Sequence, residues 1–287
     1  MKIAALQMVS TPRVADNLAT ARRLMAQAAD QGARLVALPE YFCLMGHSDR
    51  DKLTVAEAPG QGPIQQMLAD TARELQLWVV GGTLPIVADS EEGSRVYNRC
   101  GVYRPDGQEA AHYDKMHLFR YQNEREHYDE ARVLRAGDHP VAVTLDDLPG
   151  LDGRPLRLGL SICYDLRFPE LYRALSFAPG QPPCDLMAVP SAFTFSTGRA
   201  HWELLLRARA VENQCYVMAP AQGGVHENGR RTWGHTLVAD PWGEVVALQP
   251  EGEGVVMADI DLVRLEAVRK QLPALSHVRD IRHTPVS

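Results

Sequence analysis

The sequence predicts a mixed α/β fold in which helices cover the sheet, and three observations carry that reading. Apolar strand-like runs alternate with segments of helical period, a hairpin stands among the strand–helix units, and no Gly/Ser/Pro linker or shift of composition interrupts the 287 residues. The chain therefore reads as one domain over 1–287, with enough strands to imply more than one sheet.

The elements follow in order. Lys2–Met8 is a short apolar run, a strand. Asn17–Gln31 places Leu18, Ala21, Leu24, Met25 and Ala28 on one helical face, and Gly32 stops it. Arg34–Leu38 is a strand ending in Pro39-Glu40. Pro63–Leu75 is a helix with proline in its first turn, where the missing N–H costs nothing. Trp78–Leu84 reads as a buried strand. Arg95–Tyr103 and Glu109–Lys115 form a hairpin about Pro105-Asp106-Gly107. Leu158, Leu160 and Ile162 mark a buried strand, after which Phe168-Pro169-Glu170 opens a helix. Cys184–Val189 is a strand, and Ala200–Asn213 an amphipathic helix with Trp202, Leu205, Leu206 and Val211. Cys215–Ala219, Thr236–Ala239, Glu244–Leu248 and Val255–Ile260 are strands, and Leu262–Gln271 closes the chain as a helix.

Composition narrows the function. A net charge of −6 with dispersed basic residues argues against a nucleic-acid partner. No apolar run approaches the roughly 20 residues of a membrane span, and the opening MKIAALQM is too short and broken for a signal peptide. Cys43, Cys100, Cys163, Cys184 and Cys215 are odd in number and widely spaced, which suits reduced thiols in the cytoplasm better than a disulfide frame. The histidines form no ligand-spaced cluster, so no metal site is expected.

Three segments end an apolar strand in a reactive group: Glu40 after LVALP, Lys115 in YDKMHLF, and Cys163 in GLSICYDLRFPELYR. The carboxyl end of a strand is where ligands meet an α/β sheet, and a turn into a helix there points backbone N–H groups outward in a way that favours a thiolate. A buried cysteine is also often inert packing. If the three groups converge, the carboxylate takes the thiol proton and the ammonium stabilises developing negative charge.

These motifs, in this order, resemble the nitrilase superfamily, the carbon–nitrogen hydrolases, whose catalytic group is a Glu-Lys-Cys triad. A second family glutamate matches Glu130 in HYDEARVLRAGD, and the resemblance runs from KIAALQM to GVVMADIDLVRLEAVRKQLP. The segments at 190–222 and 234–247 look most similar to the Nit subgroup, and within it to the deaminated glutathione amidases. Two residues depart from the common pattern, Arg120 after Phe119 and Arg199 after Gly198.

The resemblance implies a four-layer α-β-β-α sandwich and a cofactor-free amidohydrolase that cleaves a primary amide of a small carboxylate to acid and ammonia through a cysteine thioester. Deaminated glutathione is the implied substrate. The alternatives are an ω-amidase acting on α-ketoglutaramate, an N-carbamoyl amidase or nitrilase, and a non-catalytic scaffold of the same fold. It implies Glu40 as base, Cys163 as nucleophile, Lys115 and the backbone N–H of Tyr164 as oxyanion donors, and Glu130 as the group orienting Lys115. A carboxylate substrate calls for arginine; the candidates by sequence are Arg199, Arg173 and Arg125, with Phe193 and Thr194 as further lining. Arg167 and Glu170 read as a structural pair at the helix start. A homodimer or higher homo-oligomer is implied as well.

Overall fold

A computed structural model describes residues 1–88, 95–122 and 127–279. Two sheets lie at its centre. The first has eight strands, in the order Gly254–Asp259, Lys2–Gln7, Leu35–Ala37, Trp78–Val80, Val96–Tyr103 and Leu84–Val87, with Glu109–Asp114 and Leu134–Arg135 also paired to Val96–Tyr103. The second has six, in the order Ala142–Pro149, Pro155–Leu160, Leu186–Ala188, Tyr216–Ala219, Thr236–Ala239 and Val245–Gln249. Each contains a run of three parallel strands joined through helices, and the flanking strands are antiparallel. The helices are α1 (Val14–Asp30), α2 (Asp51–Thr54), α3 (Pro63–Leu75), α4 (Pro169–Ser176), α5 (Phe195–Asn213) and α6 (Leu262–Gln271).

Strand alternation builds the layers. In Lys2–Gln7, Ala4 and Leu6 face outward to Leu24, Met25, Leu68 and Ala72 of α1 and α3. Ile3 and Ala5 face the other way, into the core shared with Leu156, Leu158 and Leu160 of the second sheet. Gly159, between those leucines, faces Leu175 of α4; α4 and α5 cover that side with Tyr172, Trp202 and Leu206. The result is the α-β-β-α sandwich expected. Burying each large apolar side chain in these layers contributes about 1.5–3 kcal/mol.

Three expectations need correction. The run Trp78–Leu84 is two strands, because Gly82 takes φ +58 and lies so close to the Pro39 carbonyl that a Cβ would sit 2.3 Å from its oxygen. That break lets the Glu40 segment approach. α5 begins at Phe195 rather than Ala200: Gly198 argues against a helix, but a Cβ there would overlap Trp233 at 2.3 Å, so glycine is needed for packing. Val211 is 48% exposed rather than on the buried face of that helix. The strand Ala142–Pro149 carries no sequence signal, because Asp146 and Asp147 break its alternation.

Candidate active site

The three strand ends converge. Leu35–Ala37 runs into Leu38, whose N–H donates to the Val80 carbonyl at 2.9 Å, and Tyr41 then turns with φ +56 while its N–H donates to Thr83 Oγ1 at 2.8 Å. Glu40, between them, is 1% exposed. Its Oε1 accepts from Lys115 Nζ and from Asn98 Nδ2, each at 2.9 Å, and its Oε2 from the Ala192 N–H at 3.0 Å. Lys115 follows Glu109–Asp114 and is fully buried. Its Nζ lies 3.0 Å from Glu130 Oε1 and 2.9 Å from Glu130 Oε2. Glu130 also accepts from Tyr41 Oη and the Phe119 N–H, both at 2.7 Å. An ammonium with carboxylates on two sides offsets part of its desolvation in this way. Burial alone would lower the Lys115 pKa, but Glu130 and then Glu40 outweigh it and hold the ammonium charged well above its ordinary range. Burial likewise opposes ionisation of Glu130, and Lys115 overrides it, so that carboxyl is held below its usual value.

Cys163 opens a 3-10 turn, Cys163–Arg167, with φ +50, a conformation that costs a non-glycine residue on the order of 1–3 kcal/mol. The turn is over-determined by its bonds. The Cys163 N–H donates to the Pro190 carbonyl at 3.0 Å, and the Ile162 N–H donates to Asp165 Oδ2 at 2.8 Å. Asp165, fully buried, also accepts from Tyr113 Oη at 2.8 Å and from His117 through its N–H (3.0 Å) and ring Nδ1 (2.7 Å). The cysteine turn is thus tied to the lysine segment. Burial first, and the Glu40 carboxylate second, push the Cys163 thiol well above its ordinary pKa despite Lys115 nearby. The direction of that shift favours the thiol over the thiolate, against the expectation that the turn favours a thiolate.

A narrow cavity opens onto these groups, lined by Glu40, Glu130, Cys163, Tyr164, Phe193 and Thr194 among others. Phe193 and Thr194 lie where the sequence placed them. The arginines do not. Arg173 is on the far side of α4, where it donates to the Glu212 carbonyl at 2.7 Å and covers Phe177. Arg199 is exposed on α5 and does not line the cavity, nor does exposed Arg120. Arg125 lies outside the described residues. The cavity's guanidinium groups are Arg167 and Arg230. Arg167 makes no ion pair with Glu170 in the described structure; its side chain donates to His201 Nδ1 at 3.2 Å and lies over the Tyr164 and Phe193 rings. The helix-pair spacing hid it, and Arg230 carried no sequence motif at all. Tyr41 and Asn98 were missed for a similar reason, since each is polar and buried only because the fold brings it to a carboxylate.

All five cysteines are buried and unpaired. No group of three or more His, Cys, Asp or Glu among the described residues is arranged to hold a metal ion. No helix among them is long and apolar enough to cross a membrane.

A two-sheet sandwich with Glu, Lys and Cys gathered at its strand ends is the architecture of a carbon–nitrogen hydrolase, and the model of the Carbon-nitrogen hydrolase family matches residues 2–270; the chain belongs to that family. Among individual proteins, it is 41% identical over 276 residues to a deaminated glutathione amidase of Synechocystis sp. (strain PCC 6803 / GT-S), covering 96% of each chain. It is 35% identical over 279 residues to an omega-amidase of Homo sapiens, covering 97% of this chain and 95% of that one. The solved structure of the C. elegans NitFhit protein superposes with a TM-score of 0.82 at 35% identity, over 97% of this chain and 65% of the longer relative.

Proposed function

We propose that this protein is a deaminated glutathione amidase, in which Cys163, Glu40 and Lys115 hydrolyse an amide through a thioester. The observation that carries the chemistry is the gathering of Cys163 and Glu40 on one cavity wall, with Glu40 bonded to the buried Lys115 ammonium. Glu40 takes the thiol proton as sulfur attacks the amide carbon. Lys115 has three N–H donors, so with Glu40 and Glu130 engaged it still has one for the oxyanion. The Cys163 and Asp165 N–H groups bond to the Pro190 and Ile162 carbonyls; the Tyr164 N–H between them is the second oxyanion donor, and losing such a donor costs on the order of 10²–10³ in rate. As the C–N bond breaks, Glu40 returns its proton to the departing amine. Glu40 then deprotonates a water that adds to the thioester, releasing the acid and restoring the thiol. Glu130, held by Tyr41 and the Phe119 N–H, positions Lys115.

The similarity to named deaminated glutathione amidases supports that substrate over α-ketoglutaramate. It also amends the expected leaving group. Ammonia leaves a primary amide, but the scissile bond of deaminated glutathione is the secondary amide to cysteine, so the amine released is the Cys-Gly dipeptide. Arg167 is the partner for the keto-acid carboxylate, since it lines the cavity over the Tyr164 and Phe193 rings and none of the described carboxylates is within ion-pair distance of it. The protein is further read as a cytoplasmic homo-oligomer: Leu204, Val211 and Trp242 are 68%, 48% and 51% exposed and line one hollow on α5, an apolar surface suited to a second copy.

The test replaces Cys163 and compares substrates. Cys163→Ala is expected to remove keto-acid release entirely while leaving the melting temperature within a few degrees. Wild-type turnover of deaminated glutathione should exceed that of α-ketoglutaramate. Residual turnover in the variant rejects the thioester route; preference for the smaller amide moves the enzyme to the omega-amidases.

A further inference from the structure

Beside the catalytic cavity lies a second, larger and more open hollow, lined by Tyr41, Leu44 through Asp49, Lys52, Tyr128, Asn228 and Arg230 among others. Its wall is polar, and Arg230 belongs to both spaces. Tyr41 joins them too, since its ring lines the hollow while its hydroxyl donates to Glu130 in the site. Arg230 is held in place by its backbone-directed end, where Nη2 donates to the Ala192 carbonyl at 3.2 Å, and by the Tyr128 ring 5.2 Å away. Its Nε is buried and has no hydrogen-bond partner, a state that ordinarily costs about 1–3 kcal/mol. None of the described carboxylates is within ion-pair distance of it; Asp49, on the same wall, feels its charge but is bonded to Lys52. Lys52, across the hollow, is by contrast already engaged by Asp49 at 2.6 Å and by the Tyr41 ring. A guanidinium shared by the catalytic cavity and an open polar hollow is the arrangement that receives an anion.

We infer that this hollow is the subsite for the amine half of the substrate, a short peptide beyond the scissile bond, and that Arg230 binds its terminal carboxylate. The inference rests on the amidase reading above and adds the division of labour: acyl half in the inner cavity with Arg167, leaving half outside with Arg230. A simple primary amide would leave the outer hollow empty, so its presence favours an amide whose nitrogen carries more chain. Arg230 is then a specificity residue that touches neither sulfur nor scissile carbon.

The experiment compares α-ketoglutaryl-Cys-Gly with the same compound carrying a C-terminal amide, in wild type and in Arg230→Gln. Wild type should prefer the free carboxylate by roughly tenfold or more in kcat/KM, since a hydrogen-bonded charge pair is worth at least that. In Arg230→Gln the preference should fall to within about twofold, and Arg230→Lys should restore part of it. Equal rates for the two compounds in wild type overturn the inference while leaving the amidase intact, as does a preference that survives the substitution. Binding of both compounds to Cys163→Ala, followed by titration calorimetry, separates the two levels. Carboxylate-dependent binding there, without any wild-type turnover, would retain the subsite and reject the amidase reading.

Discussion

Lys115 is the residue on which the site's electrostatics turn. It is fully buried between Glu40 and Glu130, and those two carboxylates share no other cation at hydrogen-bond distance among the described residues. Replacing it with methionine leaves two carboxyl groups close together out of water. One must then take a proton in the folded state, so its folded pKa rises above its unfolded value. Stability of that kind is present at low pH and lost as pH rises. Lys115→Met should therefore abolish turnover and destabilise by about 3–5 kcal/mol near neutral pH, with a smaller loss at pH 5 than at pH 8. Thermal unfolding at both values checks it; an equal loss would mean that the two carboxylates do not share the Lys115 charge. The meeting of Glu40, Lys115 and Cys163 at one cavity was legible because three motifs each end a strand. Tyr41 and Asn98 were not, because a single tyrosine or asparagine announces nothing until its partner's position is known.

Elements position these residues through a few bonds that cross the chain. The loop at Ser10 shows this: Gln222 donates to Ser10 Oγ at 2.7 Å and to the Glu40 carbonyl at 3.1 Å, fixing the backbone at Glu40. His226 lies in the same layer, with its ring against the Ser10 carbonyl at 2.9 Å and Thr232 Oγ1 at 2.8 Å. Burial lowers its pKa from 6.5 to about 4. The unfolded chain therefore binds a proton that the folded chain refuses between those values. Stability should be fully present above pH 6.5 and decline as pH falls toward 4, by on the order of 3 kcal/mol from this group at about 1.4 kcal/mol per pH unit. His226→Gln should flatten that part of the stability–pH curve, read by denaturant unfolding at pH 7 and pH 5; an unchanged slope would assign the acid sensitivity to other groups. At this scale helix existence was legible from period and proline position. Boundaries failed where a tertiary contact decided them, as Trp233 does for Gly198 and Pro39 for Gly82.

At the scale of the molecule, the two sheets were implied by strand count, while their face-to-face stacking came through the resemblance rather than from periodicity. Alternation tells which side of a strand is apolar but not which sheet it meets. The arginines that line the cavity were the least legible part, because arginine is common and its placement depends on where the surface folds inward. Arg173 and Arg199 were closer in sequence to the cysteine than Arg230, yet neither lines the cavity. The exposed hollow on α5 yields a prediction of its own: Leu204→Glu should lower the solution mass measured by light scattering, and an unchanged mass would remove this face as the contact between copies.

The upward push on the Cys163 thiol also bears on how the protein meets reactive chemicals. Alkylating agents attack thiolates, and here burial and Glu40 suppress the thiolate, while burial raises Cys43 to about 12 and Cys184 to about 11. Native protein in iodoacetamide at neutral pH should gain mass slowly despite its five cysteines. An electrophile shaped like the amide, whose carbonyl oxygen occupies the Lys115 donor and whose attack lets Glu40 remove the proton, should add once and fast. The site would thus be silent to general thiol reagents and open to a warhead that performs the first half of its own reaction.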